Sequence, residues 1–334
     1  MRARRVDVAK LAGVAPSTVS LALNGRAAQV QLAPETVRRI QRAARQLHYV
    51  PNASARALRR RGPRTIGLMP PPYTEDPRIP KFADVVTATV QRAKQLGYFV
   101  LVLPSVTEDP DEMLSAMRDA DIVGVVCHGG ELGQRFGTEM SSAGLPVVWI
   151  SHDGPPESRR GGRSIEIDIR PGIEELGAHL WTTGYRSLGV VVGMDRPVYP
   201  SSRRYRGLAR RFAGRVTAVH AKSWSSEAGR LAMHEIIDQK NRPDAVFAGN
   251  DVLAAGALHA CREAGLQVPG DIAVAGFGGF EISSDLTPTL TTVLWPLDEL
   301  ASGAVSLLSE VLDGSATGSR REVLRTKLII REST

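Results

Sequence analysis

The sequence predicts a small N-terminal all-α helix-turn-helix headpiece followed by a larger α/β core of doubly wound, mostly parallel sheet. Three observations predict it. Charge is concentrated at one end: residues 1–64 hold thirteen Arg and one Lys against only Asp7 and Glu35, a formal +12. The whole chain is +7, so everything after residue 64 carries −5. Within the basic segment apolar residues recur at helical spacing, whereas from Thr65 short apolar runs alternate with amphipathic stretches. At 334 residues the chain is long enough for more than one domain.

The headpiece elements follow in order. Val8, Leu11 and Ala12 repeat at i, i+3 and i+4, and Val19, Ala22 and Leu23 do the same, so each run has one apolar face and neither is long enough to fold alone. Gly13 between them permits a sharp turn. A third helix opens at Ala33-Pro34-Glu35, with proline suited to a first turn and Glu35 favoured near the positive helix end. Val37, Ile40, Ala44 and Leu47 line one face of it, and Arg38, Arg39, Arg42 and Arg45 lie largely off that face. Three helices sharing one core leave the second exposed to enter a DNA major groove. A +12 segment calls for a polyanion, and a merely solvated basic tail needs no periodicity.

In the core, Ile66–Met69, Phe99–Leu103, Ile122–Cys127, Val147–Ile150, Leu188–Val192, Ala245–Ala248 and Ile272–Ala275 read as strands, with Val85–Gly97 as a helix between the first two. Ligands in such folds sit at the carboxyl ends of the strands. No apolar run reaches membrane-spanning length, and Met1-Arg2-Ala3-Arg4-Arg5 does not lead into an export segment. We therefore expect a cytoplasmic protein with no membrane partner. Cys127 and Cys261 are far apart among apolar neighbours, which fits buried thiols. No metal, cofactor or catalytic residue is assigned. The rival reading is a nucleotide-binding α/β enzyme with a basic nucleic-acid-binding appendage, but Gly276-x-Gly278-Gly279 and the glycines around 189–193 lack the full dinucleotide fingerprint.

Val6-Asp7-Val8-Ala9-Lys10-Leu11-Ala12-Gly13-Val14, Ser17-Thr18-Val19-Ser20, Leu23-Asn24 and Tyr49-x-Pro51-Asn52-x-x-Ala55-Arg56-x-Leu58 resemble the DNA-binding headpiece of the LacI/GalR family of bacterial transcriptional regulators. The resemblance implies that residues 16–24 are the recognition helix, with Pro16, Ser17 and Leu21 facing base edges. It implies backbone contacts from Thr18, Ser20, Asn24, Tyr49 and Asn52, which set register. Residues 52–58 would form a hinge helix on DNA, with Leu58 as a minor-groove wedge. Ala15 stands where the family often has a capping serine, and Leu21 where a polar base reader is common, leaving Leu21 only apolar contact.

The core markers are Leu145-Pro146-Val147-Val148, Arg204-x-x-Gly207, Phe247-Ala248-Gly249-Asn250-Asp251, Val268-Pro269-Gly270-Asp271-Ile272, Gly276-Phe277, Thr287-Pro288-x-Leu290-Thr291-Thr292-Val293 and Leu328–Thr334. They resemble the family's effector core, itself similar to periplasmic sugar-binding proteins, so the core is expected to be periplasmic-binding-protein-like, with two doubly wound subdomains. The resemblance implies a headpiece at 1–50, hinge and linker at 51–64, and a core at 65–334. Subdomain one would hold about 65–162 and 294–321, and subdomain two about 163–291 and 322–334, with crossovers near 162–166, 291–294 and 321–325. It further implies an effector site of Arg204, Trp224, Asn250, Asp251, Gly278 and Trp295, with helix capping as an alternative role for Asp251. Glycine at 278 and 279 replaces the acidic pair general in the family, and Trp295 replaces a commonly polar residue, so the ligand is sugar-like or else flatter, more apolar or anionic. The expected function is a sequence-specific repressor, binding a palindromic operator in double-stranded DNA as a homodimer and answering to a small-molecule effector.

Overall fold

The computed structural model describes residues 5–23, 32–47, 65–69, 80–103, 110–128, 131–151, 162–193, 202–212 and 214–334. They fall into two units that divide at Arg64 and Thr65.

In the first unit, α1 (Arg5–Ala12), α2 (Pro16–Leu23) and α3 (Pro34–Gln46) enclose one small core. Val8, Ala9 and Ala12 meet Val19 and Ala22 of α2 and Ile40, Ala43 and Ala44 of α3. Leu11 departs from the expected apolar face: it is 47% exposed, and Ala9 takes its place inside. Gly13 adopts φ +62°, a left-handed conformation that glycine reaches without strain.

The second unit contains two six-stranded sheets. In the first lobe β1 (Thr65–Met69), β2 (Phe99–Val102), β3 (Ile122–His128), β4 (Val147–Ser151), β5 (Arg163–Asp168) and β11 (Arg320–Arg325) lie in the order β11-β5-β4-β3-β1-β2. In the second, β6 (Leu188–Val192), β7 (Val216–His220), β8 (Ala245–Ala248), β9 (Ala273–Gly278), β10 (Thr291–Leu294) and β12 (Lys327–Ile329) lie in the order β12-β10-β9-β8-β6-β7. Every residue of β6, β8 and β9 is buried, the expected consequence of helices covering both sheet faces. The first lobe carries α4 (Pro80–Leu96), α5 (Pro110–Asp119), α6 (Glu131–Ser142) and α12 (Leu297–Leu312); the second carries α7 (Arg170–Thr183), α8 (Ser202–Arg211), α9 (Ser226–Ile237), α10 (Asp251–Glu263) and α11 (Ile282–Asp285).

The chain passes between lobes after β5, after β10 and between β11 and β12. The sequence boundaries therefore need correction. Residues 163–168 are a strand of the first lobe, 291–294 a strand of the second, and 322–325 part of the first, so each passage lies a few residues later than expected, at Ile169, Trp295-Pro296 and Thr326. Glu166 and the arginines of β11 mask these strands in the sequence; in the sheet Arg321 Nε and Nη2 donate to Glu166 Oε2 at 3.0 and 2.9 Å. Both cysteines are buried. Among the described residues no single helix is long and apolar enough to cross a membrane.

Candidate functional site

Each of the two units carries one candidate site. In the headpiece, α2 buries Val19 and Ala22 and turns Pro16 and Ser17 outward, both exposed. Leu21, one turn beyond Ser17, is half-buried, as is Thr18. The Ala15 carbonyl accepts from Thr18 N–H at 3.0 Å and Val19 N–H at 3.2 Å, so the helix opens through its backbone where a capping serine is missing. The Ser20 side chain and Asn24, Tyr49, Asn52 and Leu58 lie outside the described residues.

In the core, the carboxyl ends of β6, β8, β9 and β10 deliver Gly193, Gly249-Asn250, Gly278 and Trp295. Trp224 lies against the first two glycines: a Cβ on Gly193 would stand 2.4 Å from the indole, and one on Gly249 3.3 Å. The glycines are thus the floor on which a flat ring rests. Arg204, in the first turn of α8, is 7% exposed and donates through Nη1 to the Gly249 carbonyl. Its guanidinium carbon lies 4.5 Å from the Phe277 ring centre, 4.8 Å from that of Trp295 and 5.5 Å from that of Trp224. Phe277 and Trp295 meet edge to face at 5.2 Å. Arg204, Trp224 and Trp295, far apart in sequence, are therefore one cluster.

Lys81, from the first turn of α4 in the other lobe, places Nζ 4.1 Å from the Trp295 ring centre and is 6% exposed. His128, at the end of β3, lies close by, and burial together with the Lys81 charge holds its imidazole well below the usual histidine range. Neither residue stands in a motif, and sequence reasoning missed both. Phe277 was visible only as part of a marker string.

Asn250 and Asp251 prove to have structural duties. The Asn250 side-chain oxygen accepts from Leu253 N–H at 2.7 Å and caps α10. Asp251 is fully buried and is not the cap: Oδ1 accepts from the Thr292 hydroxyl at 2.6 Å and Oδ2 from the Phe280 N–H at 2.8 Å. Both carboxylate oxygens thus hold the turn after β9 to β10. Burial pushes its carboxyl up to about 6 despite those donors. In that turn Gly278 (φ +137°) and Gly279 (φ +68°) have left-handed backbones. A Cβ on Gly278 would meet the Phe280 ring at 2.8 Å and one on Gly279 the Leu294 side chain at 2.5 Å, so the turn excludes the acidic pair that the family resemblance leads one to look for. The Gly278 carbonyl accepts from Trp295 N–H at 3.0 Å, which seats the indole in the cluster.

Comparison with known proteins agrees with both halves of this construction. The model for bacterial regulatory proteins of the lacI family matches residues 6–52, and that for periplasmic binding protein-like domains matches 178–334. The HTH-type transcriptional repressor PurR of Serratia proteamaculans is 30% identical over 98% of this chain and 95% of its own, and the repressor CytR of Escherichia coli is 28% identical over 98% and 95%. A lac repressor bound to ONPG in its repressed state, 24% identical, superposes with a TM-score of 0.77 over all of both chains and shares the fold. Membership of this family excludes the enzymatic reading: the chain belongs to the lacI family of bacterial regulatory proteins and is a DNA-binding transcriptional regulator.

Proposed function

We propose that the protein is a cytoplasmic repressor that binds a palindromic operator as a homodimer and is modulated by a small molecule seated between the lobes of its core. The observation that carries the DNA half is the outward face of α2, with Pro16 and Ser17 exposed above a closed three-helix core in a segment of charge +12. In this reading Pro16, Ser17 and Leu21 meet base edges. Thr18, Ser20, Asn24, Tyr49 and Asn52 hold the phosphates, and Leu58 enters the minor groove.

Homodimerisation is supported by the edge of the first sheet. Strand β2 exposes Phe99 (76%), Leu101 and Val102, and Val90 of α4 is exposed as well. An apolar strand edge of this kind is an aggregation hazard unless a partner covers it. Two recognition helices related by a two-fold axis then read two half-sites. The effector half is supported by the convergence of Arg204, Trp224 and Trp295 at the strand ends. A ligand that favours one angle between the lobes would shift operator affinity by its difference in affinity for the two arrangements.

The test is selection of genomic DNA fragments by the purified full chain, followed by footprinting. A protected palindrome whose affinity falls steeply with salt supports the reading, because several phosphates exchange counterions for Lys and Arg. A footprint without two-fold symmetry removes the dimeric operator, and no enrichment in the presence of cell metabolites removes sequence-specific binding.

A further inference from the structure

Resting on the reading of α2 as the helix that meets the operator, we propose that the outward face of α3 is a second DNA-binding surface, non-specific in sequence, which holds the phosphate backbone of another duplex segment while α2 stays on the operator. The first observation is where the charge sits. No residue of α2 is charged, so the helix that reads bases brings no cation of its own. Four arginines stand in α3 against Glu35 alone. Arg38, Arg39 and Arg42 are all exposed, and so is Gln41 beside them. Arg38, Gln41 and Arg42 fall in one row at helical steps of three and four, which position 45, again arginine, continues in the sequence. Among the described residues Arg38, Arg39 and Arg42 make no hydrogen bond or ion pair. The only acidic residues of 1–64 are Asp7 of α1 and Glu35 in the first turn of α3, both among the described residues and neither paired with this row. Nor does the row serve the helix: arginines four apart repel, and Arg38 and Arg39 stand too far from the carboxyl end of α3 to gain from its dipole. Exposed guanidinium forks spaced along one face have the chemistry of phosphate recognition.

The second observation is direction. The three helices enclose one core, into which α2 puts Val19 and Ala22 and α3 puts Ile40, Ala43 and Ala44. Helices packed on opposite sides of a shared core turn their outward faces away from each other. A duplex seated on Pro16 and Ser17 therefore leaves the arginines of α3 on another side of the headpiece, open to a second polyanion. Backbone contacts of this kind carry no sequence information, so the second segment can be any duplex. In the proposed homodimer two such faces are present, and a regulator on its operator tethers a further stretch of DNA beside it.

The operator duplex found by footprinting should be immobilised sparsely and saturated with purified full-length protein, and retention of a labelled duplex of unrelated sequence then measured over a range of salt. The parent chain should retain it, less so as salt rises. Replacing all three arginines, Arg38→Gln with Arg39→Gln and Arg42→Gln, should weaken retention about tenfold or more and flatten its salt slope by roughly two to three units, since about 0.9 counterions are released per phosphate met. The operator footprint should stay. Glutamine is close to arginine in helix propensity, so α3 should survive the triple change. Gln41→Lys adds a cation to the row and should strengthen retention, a gain that no loss of fold can imitate. No retention by the parent chain, equal retention by parent and triple variant, or capture of phosphatidylglycerol vesicles in place of the duplex overturns the proposal. So does a triple variant that loses operator affinity in step with retention, because the row then belongs to the operator duplex. An intact footprint without retention removes only the second surface, whereas a parent chain without a footprint removes the reading of α2 on which it rests.

Discussion

In the first lobe the last strand, β11, runs parallel to its neighbour β5; in the second lobe β12 runs antiparallel to β10. The remaining five strands follow the same spatial plan in both. The difference follows from how the chain travels. It leaves the first lobe after β5, returns after β10, and leaves again through Thr326, so the segment β11–β12 points the same way throughout. That direction agrees with β5, which is also outbound, and opposes β10, which is homebound. Three connections thus join the lobes, and Thr326 anchors the third, accepting from Gly172 N–H at 3.1 Å and donating to the Asp168 and Ile169 carbonyls. The lobes also differ in helix packing. In the second, α9 and α10 approach to backbone distance at Gly229 and Gly256, whereas in the first Gly303 of α12 faces only a side chain, Ile165. The second lobe supplies Arg204, Trp224 and Phe277, and the first supplies Lys81.

The largest expected break in this comparison is Gly256→Ala. Its Cβ would lie 1.8 Å from the Ser226 carbonyl oxygen, a backbone atom that cannot rotate away. We expect a loss of about 3 kcal/mol or more in a urea melt, with unfolding of the second lobe. A loss under about 1 kcal/mol would show that the close α9–α10 contact has slack.

Next comes Asp251→Asn, whose single amide oxygen can accept from only one of the two donors, Phe280 N–H and the Thr292 hydroxyl, and should cost about 1–3 kcal/mol. The pH dependence sharpens it. Asp251 has its folded-state carboxyl raised to about 6, above its ordinary value of 3.8, so the folded chain holds the proton more tightly. This group's contribution to stability should therefore rise as pH is lowered from 7 toward 4, and the gap between parent and Asn variant should widen over that window. A gap that narrows on acidification would reverse the assignment.

In the first lobe, Arg321→Met takes two donors from the Glu166 carboxylate, which is 2% exposed, while the Ser164 hydroxyl still donates at 3.1 Å. Solvent reaches Arg321, so a loss of about 1–2 kcal/mol is expected rather than that of a fully buried pair. The smallest effect belongs to Gly303→Ala. Its Cβ would meet the Ile165 Cδ1 at 2.8 Å, the movable end of a side chain, and alanine favours the helix by about 1 kcal/mol, so the melt should shift little in either direction. Equal losses for Gly303→Ala and Gly256→Ala would erase the contrast between lobes.

Much of this was legible in the sequence, for reasons that differ by element. Continuous apolar runs such as Leu188–Val192 and Ala245–Ala248 announce central strands because both faces are covered. The sheet edges are quieter: β7 is mostly half-exposed or exposed and β11 carries three arginines, so neither has a run to find. In the headpiece, periodicity located all three helices but placed Leu11 inside, since spacing alone cannot tell whether the stripe through Val8 and Ala12 includes Ala9 or Leu11. At the core site, Arg204, Trp224 and Trp295 do meet, whereas the bonds of Asp251 were invisible because its backbone partner, Phe280, and its hydroxyl partner, Thr292, are 29 and 41 residues away.

The sequence by itself determined the division of labour: the +12 segment with three helical stripes, the alternation of buried strands and helices after Thr65, and the family to which both belong. Only the tertiary structure decided which charges share a place. Lys81 and Arg204 are 123 positions apart on different lobes, and it is the passage of the chain at Trp295 that brings both onto one indole. Local pattern fixes which face of an element is apolar; the meeting of two cations depends on strand order and crossover direction, which no short stretch of sequence encodes.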